Sequence, residues 1–222
     1  MLRNKSMVVG STGLVGKSVV NHLIKKDIAV LALVRNDEIS NNSLLNYYKI
    51  DFDDLQFPDG TFSDIKDIFI CLGTTIKKAG SKEAFQKVDI TYCYEIAKQA
   101  KARGVKNISI VTSLGSDSNS ANFYLKSKGM IEDKIIKMDF DSISIHRPGL
   151  LIGARNEIRL GEFIGQKIFP YFIDPFLMGS LRKYRSIKGD TLAMAMINLS
   201  GYEEGVNYYY FDDFIESAKG NS

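Results

Sequence analysis

Apolar residues along the chain follow two alternating rhythms, short continuous runs and longer stretches with apolar positions every third or fourth residue. The first run ends at Met7–Gly10. Leu14–Ile24 then carries Leu14, Val15, Val19, Val20, Leu23 and Ile24 on one helical face. Ile28–Val34 is continuously apolar and rich in branched side chains, the pattern of a strand buried on both sides. Tyr47–Ile50 predicts a third strand, ended by Asp51, Asp53 and Asp54, and Asp67–Leu72 a fourth. Glu83–Arg103 reads as one long helix with Phe85, Val88, Tyr92, Ile96 and Ala100 on its apolar stripe, and Gly104 closes it.

The alternation continues to the end. Asn107–Thr112 predicts a fifth strand, followed by the small polar loop Ser113 to Asn122. Phe123–Met138 returns to helical spacing and Ser142–His146 predicts a sixth strand. Asp190 is expected to cap a helix through Leu199, and Asn207–Phe211 reads as a last, aromatic strand. Strands alternating with helices imply right-handed βαβ crossovers. The expected fold class is therefore α/β: a doubly wound, mainly parallel sheet with helices on both faces. With no internal repeat or linker, residues 1–222 read as one domain, in which 150–222 add the substrate side and the last strand.

Composition narrows the chemistry. The 222 residues are 45% hydrophobic and 25% charged with a net charge of +3, which gives no general argument for nucleic acid. His22, His146, Cys71 and Cys93 are the only histidines and cysteines, and their spacing forms no metal motif, so no metal site is expected. Each reads as structural. No apolar run approaches the about 20 residues that span a bilayer, and the N-terminus lacks the pattern of a signal peptide. The expected compartment is the cytoplasm, without membrane association.

The first strand runs into Gly10, Ser11, Thr12, Gly13, Leu14, Val15 and Gly16, and then into a helix. Glycines there permit a tight turn, close approach of backbone to a pyrophosphate, and close helix–strand packing, while the helix N-terminus offers unpaired N–H groups to the anion. In its strand–turn–helix setting the pattern predicts a Rossmann-type dinucleotide site. An NAD site usually has Asp or Glu at the end of the second strand, whereas this strand runs into Arg35, whose planar fork suits a 2′-phosphate. NADP is expected over NAD, with Asp37 keeping NAD open. Asp51 and Phe52 could meet the adenine or simply form a turn. Leu72, Gly73 and Thr74 follow the fourth strand, where Gly73 would let backbone approach the nicotinamide half.

Tyr124 and Lys128 stand at i and i+4 on one helical face. A phenol ordinarily titrates near 10, and a neighbouring ammonium favours its anion, which brings such a pair into the range of acid–base work. Ser113, at the end of the fifth strand, could hold a substrate carbonyl or hydroxyl against the phenol. The pair alone is a weak signal among 11 tyrosines; its place after the fifth strand makes it informative.

Together these segments resemble the short-chain dehydrogenase/reductase superfamily, in its atypical, compact branch. The markers occur in the family's order: the Gly10–Gly16 turn, Ser113, Tyr124 with Lys128, and Arg147-Pro148-Gly149. More narrowly, Cys71–Thr75, Lys78-Ala79-Gly80, Val88-Asp89, the segment ending at Gly129, and Phe140–Gly149 are similar to the human Tat-interacting oxidoreductase family, which binds NADPH. The resemblance implies an NADP-dependent carbonyl–alcohol oxidoreductase. Tyr124 would be its general acid/base, Lys128 would orient the nicotinamide ribose, Ser113 would polarise the substrate, and Pro148 would lie near the nicotinamide. Where many members carry a relay asparagine, Asp89 stands here. A dinucleotide-binding regulator with little turnover, acting through a protein partner, is the alternative.

Residues 155–188 hold seven basic side chains, among them Arg182, Lys183 and Arg185, against three acidic ones. A solvated basic face is the simpler account, an anionic small-molecule substrate the sharper one. The interspersed aromatic residues suit a pocket wall or a second subunit.

Overall fold

The computed structural model describes residues 5–153 and 174–219. The strand-length runs form β1 (Lys5–Val9), β2 (Ala29–Val34), β3 (Leu45–Lys49), β4 (Ile65–Ile70), β5 (Asn107–Val111) and β6 (Ser142–His146). A separate small pair follows, β7 (Leu151–Ile152) with β8 (Ile187–Lys188), and then β9 (Gly205–Tyr209). The main sheet has seven strands in the order β3-β2-β1-β4-β5-β6-β9, every neighbouring pair parallel. The first six positions reproduce the 3-2-1-4-5-6 order of doubly wound dinucleotide folds.

Alternation along each strand divides the core into two layers. Met7, Val9, Leu31, Leu33, Ile68 and Ile70 pack on one face with α4 (Cys93–Ala102) and α5 (Phe123–Ile136). Val8, Val30, Ala32 and Phe69 pack on the other with α1 (Leu14–Lys25), α6 (Gly189–Leu199) and α7 (Phe211–Lys219). Each fully buried side chain such as Ile68 or Phe69 contributes about 2 kcal/mol of apolar transfer.

Three elements differ from expectation. The long helix is broken up: α2 (Ile76–Ala79) precedes α3 (Lys82–Gln86), and a π-helical turn (Lys87–Tyr92) leads into α4. Thr75 and Ser81 cap α2 and α3 by accepting from Lys78 N and Ala84 N. The wider turn changes the helical phase, so Cys93 rather than Tyr92 takes the buried place in the stripe; Asp89, one turn after Phe85, is buried as well. Asp190 does not cap α6; the cap is Lys188, with no side-chain bond, and Asp190 in the first turn pairs with His22 Nε2 of α1 at 2.8 Å. The last strand stops at Tyr209, and Phe211 instead opens α7, whose acidic first turn, Asp212 and Asp213, suits a helix start.

Candidate functional site

Parallel strands deliver all their following loops to one edge, and the winding of this sheet reverses between β1 and β4. The glycine turn lies at that switch point. Gly10 has φ +79°, and a Cβ on it would lie 2.7 Å from the Cys71 carbonyl carbon, so only glycine fits. A Cβ at Gly16 would lie 2.2 Å from Gly10 O, which makes Gly16 the close-packing glycine. Gly13 is different. It is exposed, and a Cβ there would meet only Gly10 O, at 3.3 Å.

The turn thus leaves a shallow place that a side chain would fill, at the N-terminus of a 12-residue helix with no side-chain cap and no acid in its first turn. These residues fit a dinucleotide pyrophosphate. Ser11 is buried and donates to Leu33 O at 3.2 Å, tying the turn to β2, while Thr12 is exposed. Leu14 and Val15 offer backbone only. Val15 is core, and Leu14 packs so tightly that a Cβ at Gly153 or Gly189 would approach its side chain to 2.4 or 2.7 Å.

Arg35 leaves β2 exposed, with no hydrogen bond or ion pair among the described residues. Asp37, the competing carboxylate, is held by Lys49 Nζ at 2.7 Å, and Lys49 is in register beside Val34. Asp51 accepts from Asp53 N at 2.8 Å and so builds a turn. Phe52 is 8% exposed with its ring against Tyr92, which assigns the ring to the core rather than to a free surface for a base.

The loop after β4 faces α5. Leu72 packs on the core, Gly73 is exposed, and Thr74 N donates to Asp89 Oδ2 at 2.9 Å. Asp89 Oδ1 lies 2.6 Å from Lys128 Nζ, and both residues are buried, at 1% and 6% exposure. Burial opposes the Lys128 charge, yet Asp89 and the nearby Tyr124 outweigh it and raise its pKa. Tyr124 opens to solvent. Its ring packs on Phe85, and the Lys128 ammonium lies 6.0 Å from the ring centroid. Asn122 caps α5 by accepting from Tyr124 N and Leu125 N, which places the phenol one turn above the lysine.

Ser113 is half-buried at the end of β5. Its loop is fixed from two sides, by Leu114 N to Pro148 O at 2.9 Å and Asp117 N to Leu125 O at 3.2 Å. A Cβ at Gly129 would lie 2.2 Å from Ser118 N, so the loop lies directly on α5. Pro148 is buried, and its carbonyl carries that link. The structure therefore gathers the glycine turn, Gly73, Thr74, Ser113, Tyr124, Lys128 and Pro148 on one sheet edge.

Sequence reading missed the ion pairing beneath this edge. Asp89 and Glu132 are both buried, and Glu132 takes Arg147 through a two-point contact, Nε to Oε1 at 3.1 Å. The available signal was an acidic residue in the middle of an apolar helical segment. His146 is sealed, its Nε2 with Ser109 Oγ at 2.8 Å, and burial pushes its pKa down to about 3. Burial likewise pushes the Cys71 and Cys93 thiols up to about 12. Of the basic trio, Arg182 pairs with Asp212 at 2.7 Å and Arg185 donates to Leu177 O at 2.8 Å. The other expectations between 154 and 173 lie outside the described residues.

The profile of a family described as NAD(P)H-binding matches residues 10–162, from the glycine turn through Ser113, Tyr124, Lys128 and Pro148. The chain belongs to this NAD(P)H-binding family. It is 32% identical over 205 residues to the Rattus norvegicus protein HTATIP2, covering 89% of this chain and 81% of that relative. It is 34% identical over 185 residues to the Candida albicans "Protein FMP52, mitochondrial", covering 80% of each. In fold it is similar to the Bordetella bronchiseptica enzyme WbmH, solved in complex with NAD+, with a TM-score of 0.69, 13% identity and coverage of 94% of this chain and 76% of that one. The Candida relative is named mitochondrial, and the cytoplasmic expectation is not confirmed by these relatives. Among the described residues no helix is long and apolar enough to cross a membrane. The Rossmann-like, mostly parallel sheet and the NAD(P)H-binding family agree with the sequence reading.

Proposed function

We propose that this member of the NAD(P)H-binding family is an NADP-dependent oxidoreductase of the short-chain dehydrogenase/reductase type that interconverts a carbonyl and an alcohol on a small substrate. The observation that carries the reading is the open Tyr124 phenol above the buried Lys128 ammonium, on the sheet edge that also holds the glycine turn. A bound nicotinamide would supply or accept the hydride. The Gly10–Gly16 turn would hold the pyrophosphate through backbone N–H groups, and Gly73 and Thr74 would serve the nicotinamide half. Lys128 would hold the nicotinamide ribose and keeps positive charge beside the phenol. Tyr124 gives a proton to the carbonyl oxygen in reduction or takes one from the alcohol in oxidation, while the Ser113 hydroxyl hydrogen-bonds that same oxygen. Support for NADP over NAD comes from Arg35, which stands free of partners among the described residues, and from Asp37, which Lys49 already occupies.

Tyr124→Phe tests the mechanism. Turnover of a substrate found by a carbonyl panel is expected to fall by at least about 100-fold, with NADPH affinity unchanged. Turnover that survives the substitution overturns the acid–base role. The closed Asp89–Lys128 pair favours a second reading, a dinucleotide-binding regulator that works through a protein partner. Tight NADPH binding with no turnover across the panel, together with a captured partner, selects it. The cytoplasm is kept as the proposed compartment under both readings, and a tagged chain recovered with mitochondria overturns that part.

A further inference from the structure

Asp89 sits in the π-helical turn, and two donors from separate elements converge on its carboxylate. Oδ2 accepts from Thr74 N at 2.9 Å, and Oδ1 meets the Lys128 ammonium at 2.6 Å. The Lys128 contact is one of charge, since Oδ1 makes no well-directed hydrogen bond. The β4 loop lies over the pair: a Cβ on Gly73 would stand 3.5 Å from Asp89 Oδ1 and 3.7 Å from Lys128 Nζ. A carboxylate offers an acceptor to each donor. An asparagine has one acceptor oxygen and would turn its NH2 toward the other donor. The position therefore demands an acid, which is a different role from relaying protons through an amide.

We propose that Asp89 is a positioning residue of the dinucleotide site, holding the Lys128 ammonium and the Gly73–Thr74 backbone in one fixed relation. Asp89 stands one helical turn after the buried Phe85 and so shares its inward face, while the π-helical turn shifts the phase beyond it and lets Tyr92 reach outward to Asp53. The proposal rests on Lys128 serving the nicotinamide ribose. It deepens that reading by assigning the residue that sets the lysine in place.

The test is a binding cycle on the full chain with Asp89→Asn, Lys128→Met and the double variant. NADPH is followed by its own fluorescence, and adenosine 2′,5′-bisphosphate by calorimetry. Asp89→Asn and Lys128→Met are each expected to weaken NADPH by at least about tenfold, and the double variant no more than Lys128→Met alone. Affinity for adenosine 2′,5′-bisphosphate, which has no nicotinamide half, is expected to stay unchanged throughout. Should Asp89→Asn alone not fold, the double variant and Lys128→Met still decide, because a tenfold difference between them contradicts the proposal. An Asp89→Asn loss that is equally large for both ligands, or undiminished in the Lys128→Met background, overturns it as structural damage. Native NADPH affinity in Lys128→Met overturns the ribose role of Lys128 itself, and the positioning role with it.

Discussion

Tyrosine four residues from lysine is common on helices, and burial is what sets Tyr124 and Lys128 apart. Tyr124 is 38% exposed while Lys128 beneath it is almost closed off and held by Asp89. Sequence spacing showed the pair but not its counter-ion, because Asp89 meets Lys128 only through contact between distant elements. The sequence also located His146 at the end of a strand without revealing that it is sealed. In the unfolded chain its imidazole titrates near its ordinary 6.5, whereas the fold holds it neutral to about 3. Below pH 6.5 the unfolded chain binds a proton that the folded one refuses, so stability falls as pH drops toward 3 and is unaffected above 6.5. His146 is expected to contribute a slope of up to about 1.4 kcal/mol per pH unit in urea unfolding between pH 5 and 6. His146→Gln should lack that part of the slope; an identical slope in both proteins contradicts it.

Among the elements, the strands were the most legible, since apolar runs of strand length and their polar stops are local. The breaks in the long helix were not. A π-helical turn keeps helical composition and changes only the phase of the stripe, and Tyr92 and Cys93 are both acceptable apolar neighbours. Likewise Phe211 extends an aromatic run, and only the acids after it mark the start of α7. The glycine turn was legible as a motif, while the division of labour among its glycines needed the fold. Gly16→Ala drives a Cβ into Gly10 O and is expected to cost about 2 kcal/mol in thermal or urea unfolding. Gly13→Ala meets only one atom at 3.3 Å and should leave unfolding nearly unchanged while abolishing measurable NADPH binding. Gly13→Ala that binds NADPH as the native protein does would remove the pyrophosphate from this turn.

At the scale of the molecule, seven parallel strands place residues as distant as Gly10 and Pro148 on one edge, and this arrangement was readable from the strand–helix alternation. The basic excess of 155–188 was also readable, but not its pairing: Arg182 and Arg185 are spent on partners within the fold. Of the two histidines one is sealed as a neutral ring and the other pairs with Asp190, so the proposed proton transfer at this edge rests on the phenol. The central claim is that this edge takes NADP(H) in preference to NAD(H). It is tested most directly by titrating NADPH and NADH against the native protein and against Arg35→Ala, reading cofactor fluorescence. The account predicts at least about tenfold tighter binding of NADPH, with most of that preference lost in Arg35→Ala. Tighter binding of NADH, unaffected by Arg35→Ala, would contradict it.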